Sequence, residues 1–209
     1  MIFSIPGFRY LLVGFAIGIG LYLVDTYAVT SSVKLGTYIL AGTSFSLLLG
    51  KLKRDAETDP LSGLLNKRGL KIISHSILKQ AKKNKDTFCI GIIDLDEFKE
   101  INDHHGHLLG DKLIEDFAKV LKQNIRKSDI AARFGGDEFV LVFRKADLQE
   151  AEEIVCRIKN AAKTELGINF SCGIASYPQN AQDWETLFDR ADDALWSAKV
   201  HRGKVVCCN

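Results

Sequence analysis

The stretch "DIAARFGGDEFVLVF", Asp129 to Phe143, holds two short apolar segments around a turn of Gly135, Gly136 and Asp137. The segments read as paired strands, and glycine tolerates the positive φ that tight hairpin turns need. The same turn carries two acids, Asp137 and Glu138, beside a backbone with no Cβ atoms in the way. Carboxylates next to a bare loop are also how a metal-phosphate site begins, because Mg2+ takes oxygen ligands and shares them with substrate phosphates. By itself the tetrad "GGDE" is as readily a plain hairpin; what the rest of the chain supplies decides its meaning.

Upstream, "TFCIGIID" (Thr87 to Asp94) is apolar and β-branched and reads as a buried strand. Asp94 ends that strand, where packing has no use for it, and Asp96 follows. The next stretch, "EFKEINDHHGHLLGD", reads as a polar loop leaving a buried strand, a common place for a site. If the strand of Asp94 lies beside that of Glu138, three carboxylates (Asp94, Asp137 and Glu138) converge on one edge. His104, His105 and His107 crowd this loop, but no second ligand group completes a zinc spacing.

Helical periodicity predicts helices over Asn66–Lys83, Asp111–Asn124, Leu148–Lys163 and Trp184–Val200. "INFSCGIASY" reads as a strand and "KVVCC" as a last one. After the first helix the order is β-α-β-β-α-β-α-β. That order implies an α/β fold related to ferredoxin-like folds, a central mixed or antiparallel sheet with flanking helices.

Residues 1–50 differ from the rest: their only charges are Arg9, Asp25 and Lys34. Tyr10–Val24 and Leu35–Gly50 are uncharged and apolar, each near the roughly 20 residues a spanning helix needs. Gly14, Gly18, Gly20, Gly36 and Gly42 suit close helix packing in lipid. Lys51, Lys53 and Arg54 follow the second run, so the positive-inside rule places both ends of a transmembrane hairpin in the cytoplasm. The organisation expected is a two-helix membrane segment over 1–50, a linker over 51–58 and a soluble domain over 59–209. The net charge of +2 on 209 residues gives no sign of a nucleic-acid partner. The five cysteines form no C-x-x-C pair and read as free thiols in a reducing compartment.

Four ordered motifs now bring a family into view. "RFGGDEFV" resembles the signature of GGDEF-domain diguanylate cyclases, and "DLDEFKEINDHHGHLLGD" is similar to the family's D-x-D-x-F-K-x-x-N-D-x-x-G-H-x-x-G-D at every fixed position. "DPLSGLLNKRGL" resembles the family's opening motif. "ADDALWSAK" resembles its closing A-D-x-A-L-Y-x-A-K, with Trp196 in the usual tyrosine place. The resemblance runs from Asp59 to Val206.

The resemblance implies a nucleotide-cyclase-like GGDEF domain that condenses two GTP into cyclic di-GMP and two pyrophosphates. One domain holds one GTP, so a homodimer is implied. Carried over by position, Asp94 and the Leu95 carbonyl hold Mg2+ (with Mn2+ as an alternative), and Asp137 and Glu138 complete the metal and catalytic site. Asp137 is taken as the acid that assists removal of the 3′ proton. Asn102 and Asp111 read guanine, as a carboxylate accepting from N1–H and N2–H suits guanine rather than adenine. His107, Phe98, Lys99, Gly135 and Gly136 line the ribose and phosphates, and Lys199 reaches the terminal phosphates. One departure stands out: Gly203 occupies the place of a phosphate-binding arginine, leaving Arg202 or Lys204 to substitute.

"RKSD", Arg126 to Asp129, stands at the offset of the family's inhibitory product site, with Arg157 where a second arginine of that site is often found. Guanidinium forks suit phosphate and guanine acceptors. Product inhibition by cyclic di-GMP is therefore expected, on the cytoplasmic side of a bacterial inner membrane. The competing readings are a catalytically weak GGDEF protein acting as a cyclic di-GMP receptor, or as a membrane scaffold.

Overall fold

The computed structural model describes residues 8–24, 32–200 and 203–208. The chain divides into two compact units, Met1–Ala56 and Glu57–Asn209.

The first unit contains helix α1 (Phe8–Val24) and the body of helix α2 (Ser32–Glu57). The two helices approach closely where side chains are smallest. A Cβ on Gly14 would fall 2.2 Å from the Gly42 carbonyl oxygen, and one on Gly18 would fall 2.8 Å from that of Tyr38. Gly20 and Gly36 instead border open space. Large apolar side chains, among them Leu12, Phe15, Leu40, Phe45 and Leu47, point away from the helix contact and are exposed. By length and composition alone, among the described residues, one helix segment could cross a bilayer, Leu35–Lys53; the apolar part of α1, Leu12–Tyr22, is shorter. Helix α2 runs on through the stretch expected to be a linker, as far as Glu57.

The second unit is built on one six-stranded sheet. Its strands are β1 (Leu65–Asn66), β2 (Phe88–Leu95), β3 (Ile130–Arg133), β4 (Glu138–Arg144), β5 (Phe170–Tyr177) and β6 (Val205–Cys207). They lie in the order β1-β3-β4-β2-β5-β6. β2 is antiparallel to both of its neighbours, β4 and β5. The edge pairs β1–β3 and β5–β6 are parallel, so the sheet is mixed. The inner four strands, β3-β4-β2-β5, have the spatial order of the ferredoxin-like split βαβ unit.

Alternation along the strands buries both faces. Phe88, Ile90 and Ile92 of β2 face helices α3 (Lys67–Asn84) and α7 (Trp184–Lys199) through Leu70, Ile77, Leu187 and Leu195. Cys89, Ile93 and Leu95 face helices α5 (His107–Asn124) and α6 (Leu148–Leu166) through Ile114, Phe117, Val155 and Ile158. The same parity puts Asp94 and Glu138 on the α3–α7 face, at the strand ends. Helix α7 lies flush on β5 because residue 173 is glycine. A Cβ there would fall 2.1 Å from both the Ala191 carbonyl oxygen and the Leu195 nitrogen.

Two readings need correction. The stretch read as a polar loop after β2 is mostly helical: α4 (Phe98–His105) forms, and α5 begins at His107, four residues before the expected start. Phe98 and Ile101 drive this, one turn apart and packed against the core, a short apolar stripe hidden among polar neighbours. The turn glycines Gly135 and Gly136 do not take positive φ, although other glycines of the chain do. For Gly135 the need for small size has another origin, in the hairpin itself.

Candidate active site

The hairpin between β3 and β4 closes tightly, with the Phe134 and Gly135 amides both donating to the Glu138 carbonyl, at 2.8 and 3.3 Å. The Glu138 carboxylate folds back under the turn. A Cβ on Gly135 would fall 2.6 Å from its Oε2, whereas Gly136 borders open space. One glycine thus makes room for an acid of the turn and the other leaves the turn's outer side bare. Arg133 ties the tip down by donating from Nε and Nη2 to the Gly136 carbonyl, at 3.1 and 2.7 Å. Its Nη1 reaches Asp59 at 3.2 Å. Asp59 also accepts from the Ser62 amide and hydroxyl, at 2.8 and 2.7 Å. Burial acts to raise the Asp59 carboxyl, but Ser62 and Arg133 outweigh it and hold the group below the usual carboxylate value.

Asp94 of β2 is the cross-strand partner of Glu138. The next amide, Leu95, donates to the Asp137 carbonyl at 3.3 Å, fastening the β2 end to the hairpin. From α7, the Lys199 ammonium donates to Asp94 Oδ2 at 2.7 Å. Burial pushes the Asp94 carboxyl above its usual value; the lysine opposes this, and the charges of Asp137 and Asp96 add to the rise. A half-buried carboxylate that draws in the nearest cation is a group in want of positive charge. Among the described residues no three His, Cys, Asp or Glu side chains stand together as a ready-made metal cage.

Of the pair expected to read a base, Asn102 packs beside the residue that precedes Asp111. Asn102 on α4 sits against Gly110 of α5, so closely that a Cβ on Gly110 would overlap the Asn102 amide oxygen at 1.9 Å. That oxygen is buried and has no hydrogen-bond partner. Asp111 follows Gly110 and is exposed, as is His107 at the start of α5. Lys99 is exposed in the first turn of α4, a helix whose N-terminus has no side-chain cap. Phe98 is partly buried against the core. Arg202 lies outside the described residues; Gly203 and Lys204 are described, and Lys204 is exposed.

The Arg126–Asp129 segment is a turn between α5 and β3. Asp129 is only 8% exposed, and its carboxylate accepts from the backbone amides of Arg126 and Arg144 at 3.0 and 3.2 Å. The Arg126 guanidinium points outward and pairs with Glu150 of α6 at 3.0 Å. Arg157, also on α6, donates to the Asn124 carbonyl at 2.6 Å. The two arginines therefore lie along the α5–α6 edge, while the acid serves the turn. Sequence reasoning passed over the Asp59–Arg133 clamp, although Asp59 opens one of the four motifs and Arg133 begins another.

This arrangement of sheet, hairpin and acids is that of a known family. Residues 56–204 match the family model described as "Diguanylate cyclase, GGDEF domain", and the chain belongs to that family. Among similar proteins, diguanylate cyclase DgcP of Pseudomonas aeruginosa is 34% identical over 155 residues, covering 70% of this chain and 23% of DgcP. Diguanylate cyclase DosC of Escherichia coli is 35% identical over 161 residues, covering 73% of this chain and 35% of DosC. The chain thus spans well under half the length of either relative. Among solved structures, the coiled coil and GGDEF domain of DgcB from Caulobacter crescentus, in complex with c-di-GMP, superposes with a TM-score of 0.76. It is 25% identical and covers 84% of this chain and 97% of that one.

Proposed function

We propose that this protein is a diguanylate cyclase, tethered to the bacterial inner membrane, that joins two GTP into cyclic di-GMP. The 3′-hydroxyl oxygen of one nucleotide attacks the α-phosphorus of the other, the bond to the β-phosphate oxygen breaks, and pyrophosphate leaves. A second attack closes the ring. Each domain holds one GTP, so two copies face each other. The observation that carries this reading is the register pairing of Asp94 with Glu138 at the foot of the GGDE hairpin, within a family whose named relatives are cyclases.

The donor set fits a hard divalent cation. Asp94, Glu138, Asp137 and the Leu95 carbonyl are all oxygen donors, and the Lys199 ammonium at Asp94 marks a position that attracts positive charge. These residues would hold Mg2+, or Mn2+ in its place. Bound there, the ion neutralises phosphate charge and stabilises the developing charge of phosphoryl transfer. Lys199, which pairs with Asp94 here, would serve the terminal phosphates. Asn102 and Asp111 orient guanine, His107 and Lys99 flank the sugar and phosphates, and the open Gly136 lets the nucleotide approach the backbone. Asp137 takes the 3′ proton in our reading, and an acid not fully engaged with the ion is the better base.

The membrane hairpin rests on the exposed apolar flanks of α1 and α2, which suit lipid, and on their glycine contact. Cyclic di-GMP is proposed to inhibit its own synthesis through Arg126, Asp129 and Arg157. The test is to incubate the purified full chain with GTP and Mg2+ over a range of protein concentrations. Cyclic di-GMP and pyrophosphate are expected, with specific activity rising with concentration as dimers form. Absence of product at every concentration contradicts the proposal, and tight binding of cyclic di-GMP without turnover would favour a receptor.

A further inference from the structure

The segment that departs from the family, after α7, is held by a cation from the opposite face of the sheet. Lys159 of α6 sends its ammonium to the edge of the sheet. There it donates to the Phe170 carbonyl at 2.8 Å and to the Gly203 carbonyl. It also lies 5.3 Å above the Phe170 ring. The Gly203 amide is fixed from its other side, donating to Ser171 Oγ at 3.2 Å. Ser171 in turn donates to Asp96 Oδ1 at 2.8 Å, and the Asp96 amide donates to the Asn169 carbonyl at 3.1 Å.

Residue 203 thus has both backbone polar groups captured. Its φ of +65° lies in the left-handed region that favours glycine. A Cβ there would sit 3.5 Å from Lys159 Nζ and 3.6 Å from Asp96 Oδ2, so the cation and the acid converge on the turn from two sides. Asp96 Oδ2 is buried with no hydrogen-bond partner, which leaves it dependent on the charge nearby. A cavity of about 160 Å3, lined by Asp96, Ile101, Asn169 and Gly203, separates this turn from α4. A turn beside a void does not hold its shape by packing; it needs polar ties.

We propose that Lys159 is a positioning residue for the triphosphate end of the site. It locks the 203–204 turn and the Asp96 loop together, so that the exposed Lys204 and the first turn of α4 meet the phosphates in a fixed geometry. This rests on the reading of the protein as a GTP-using cyclase. It gives a physical account of the departure at residue 203. The turn takes a left-handed glycine whose carbonyl is tied to Lys159, and the phosphate-facing charge moves to the next residue. Lys159 itself does not touch substrate. It stands on the same helix as Arg157, two residues away, where a rigid link to the turn costs no new element.

The test compares Lys159→Met and Lys159→Arg with wild type, using Lys163→Met one turn along α6 as the control. Hydrogen exchange of the full chain reads the turn directly. Lys159→Met should speed exchange at the amides of 96 and 203–204 about tenfold while leaving the β2–β4 core unchanged. In turnover, the KM for GTP should rise about tenfold, with a smaller change in kcat. Lys159→Arg, which keeps the donors, should restore both, and Lys163→Met should match wild type. Exchange and KM unchanged in Lys159→Met would overturn the proposal. So would faster exchange throughout the sheet with no rescue by arginine, which marks a purely structural role. If wild type makes no cyclic di-GMP, the cyclase reading fails by itself, and the exchange pattern still decides whether Lys159 holds the turn.

Discussion

The second unit carries two charged regions, and they use their acids in opposite ways. At the end of β2, Asp94 is met by a side chain, the partly exposed Lys199. At the Arg126–Asp129 turn, Asp129 is met by backbone amides that cannot leave without unmaking the turn. One acid is met by a side chain and the other by the backbone of its own turn and of β4. For Arg126 to bind a ligand it must first part from Glu150.

The widest break in this comparison comes from the frame of the Asp94 end. Gly173→Val should destabilise the unit by about 3 kcal/mol or more, because α7 cannot lift off β5 without losing its core face and Lys199 with it. Thermal unfolding with a cyclase assay checks both effects. Asp129→Ala comes next, leaving two part-buried amides without their acceptor at about 1 kcal/mol each. It should lower Tm, whereas Arg126→Ala should leave Tm within about 2 °C of wild type and relieve product inhibition. If Asp129→Ala melts like wild type, the contrast between the two acids is wrong.

The Asp59–Arg133 clamp sharpens the comparison through pH. The Asp59 carboxyl titrates lower in the folded chain than in the unfolded one. Its contribution is therefore fully present above the unfolded value of about 3.9, and is lost as pH falls through the lowered folded value. Asp59→Asn should be less stable than wild type near pH 6, and the two denaturation curves should approach each other below about pH 4. A gap of constant size across that window would show that the carboxylate charge is not what holds the hairpin. The smallest effect belongs to Glu150→Gln. Freeing Arg126 from an exposed ion pair should tighten inhibition by cyclic di-GMP about two- to fivefold, read as the product concentration that halves the rate.

Much of this was legible in the residues. Asp94 betrayed itself by ending an apolar strand, and the apolar periodicities carried the order of the main elements after the first helix. The β2–β4 adjacency was only a condition in the sequence, and the register of Asp94 with Glu138 meets it. What stayed hidden was non-local or masked by composition. Helix α4 has only Phe98 and Ile101 as apolar anchors, too few for periodicity to separate from a loop. The demand for glycine at 135 comes from a side chain three residues on, not from the turn's own φ. Lys159 looked like any lysine on a helix face until the chain returned 44 residues later to place Gly203 beside it. Asp129 was read as a ligand group, and the fold adds that its carboxylate also accepts from two backbone amides.

The central claim is that the paired acids at the foot of the GGDE hairpin make this chain a cyclase. The most direct measurement is cyclic di-GMP formation from GTP by the full-length wild type and by Asp94→Asn, across a Mg2+ titration. The account predicts metal-dependent product from wild type and at least about a hundredfold less from Asp94→Asn, with Tm preserved. Equal product from both proteins, or none from wild type at any concentration of protein and metal, would contradict it.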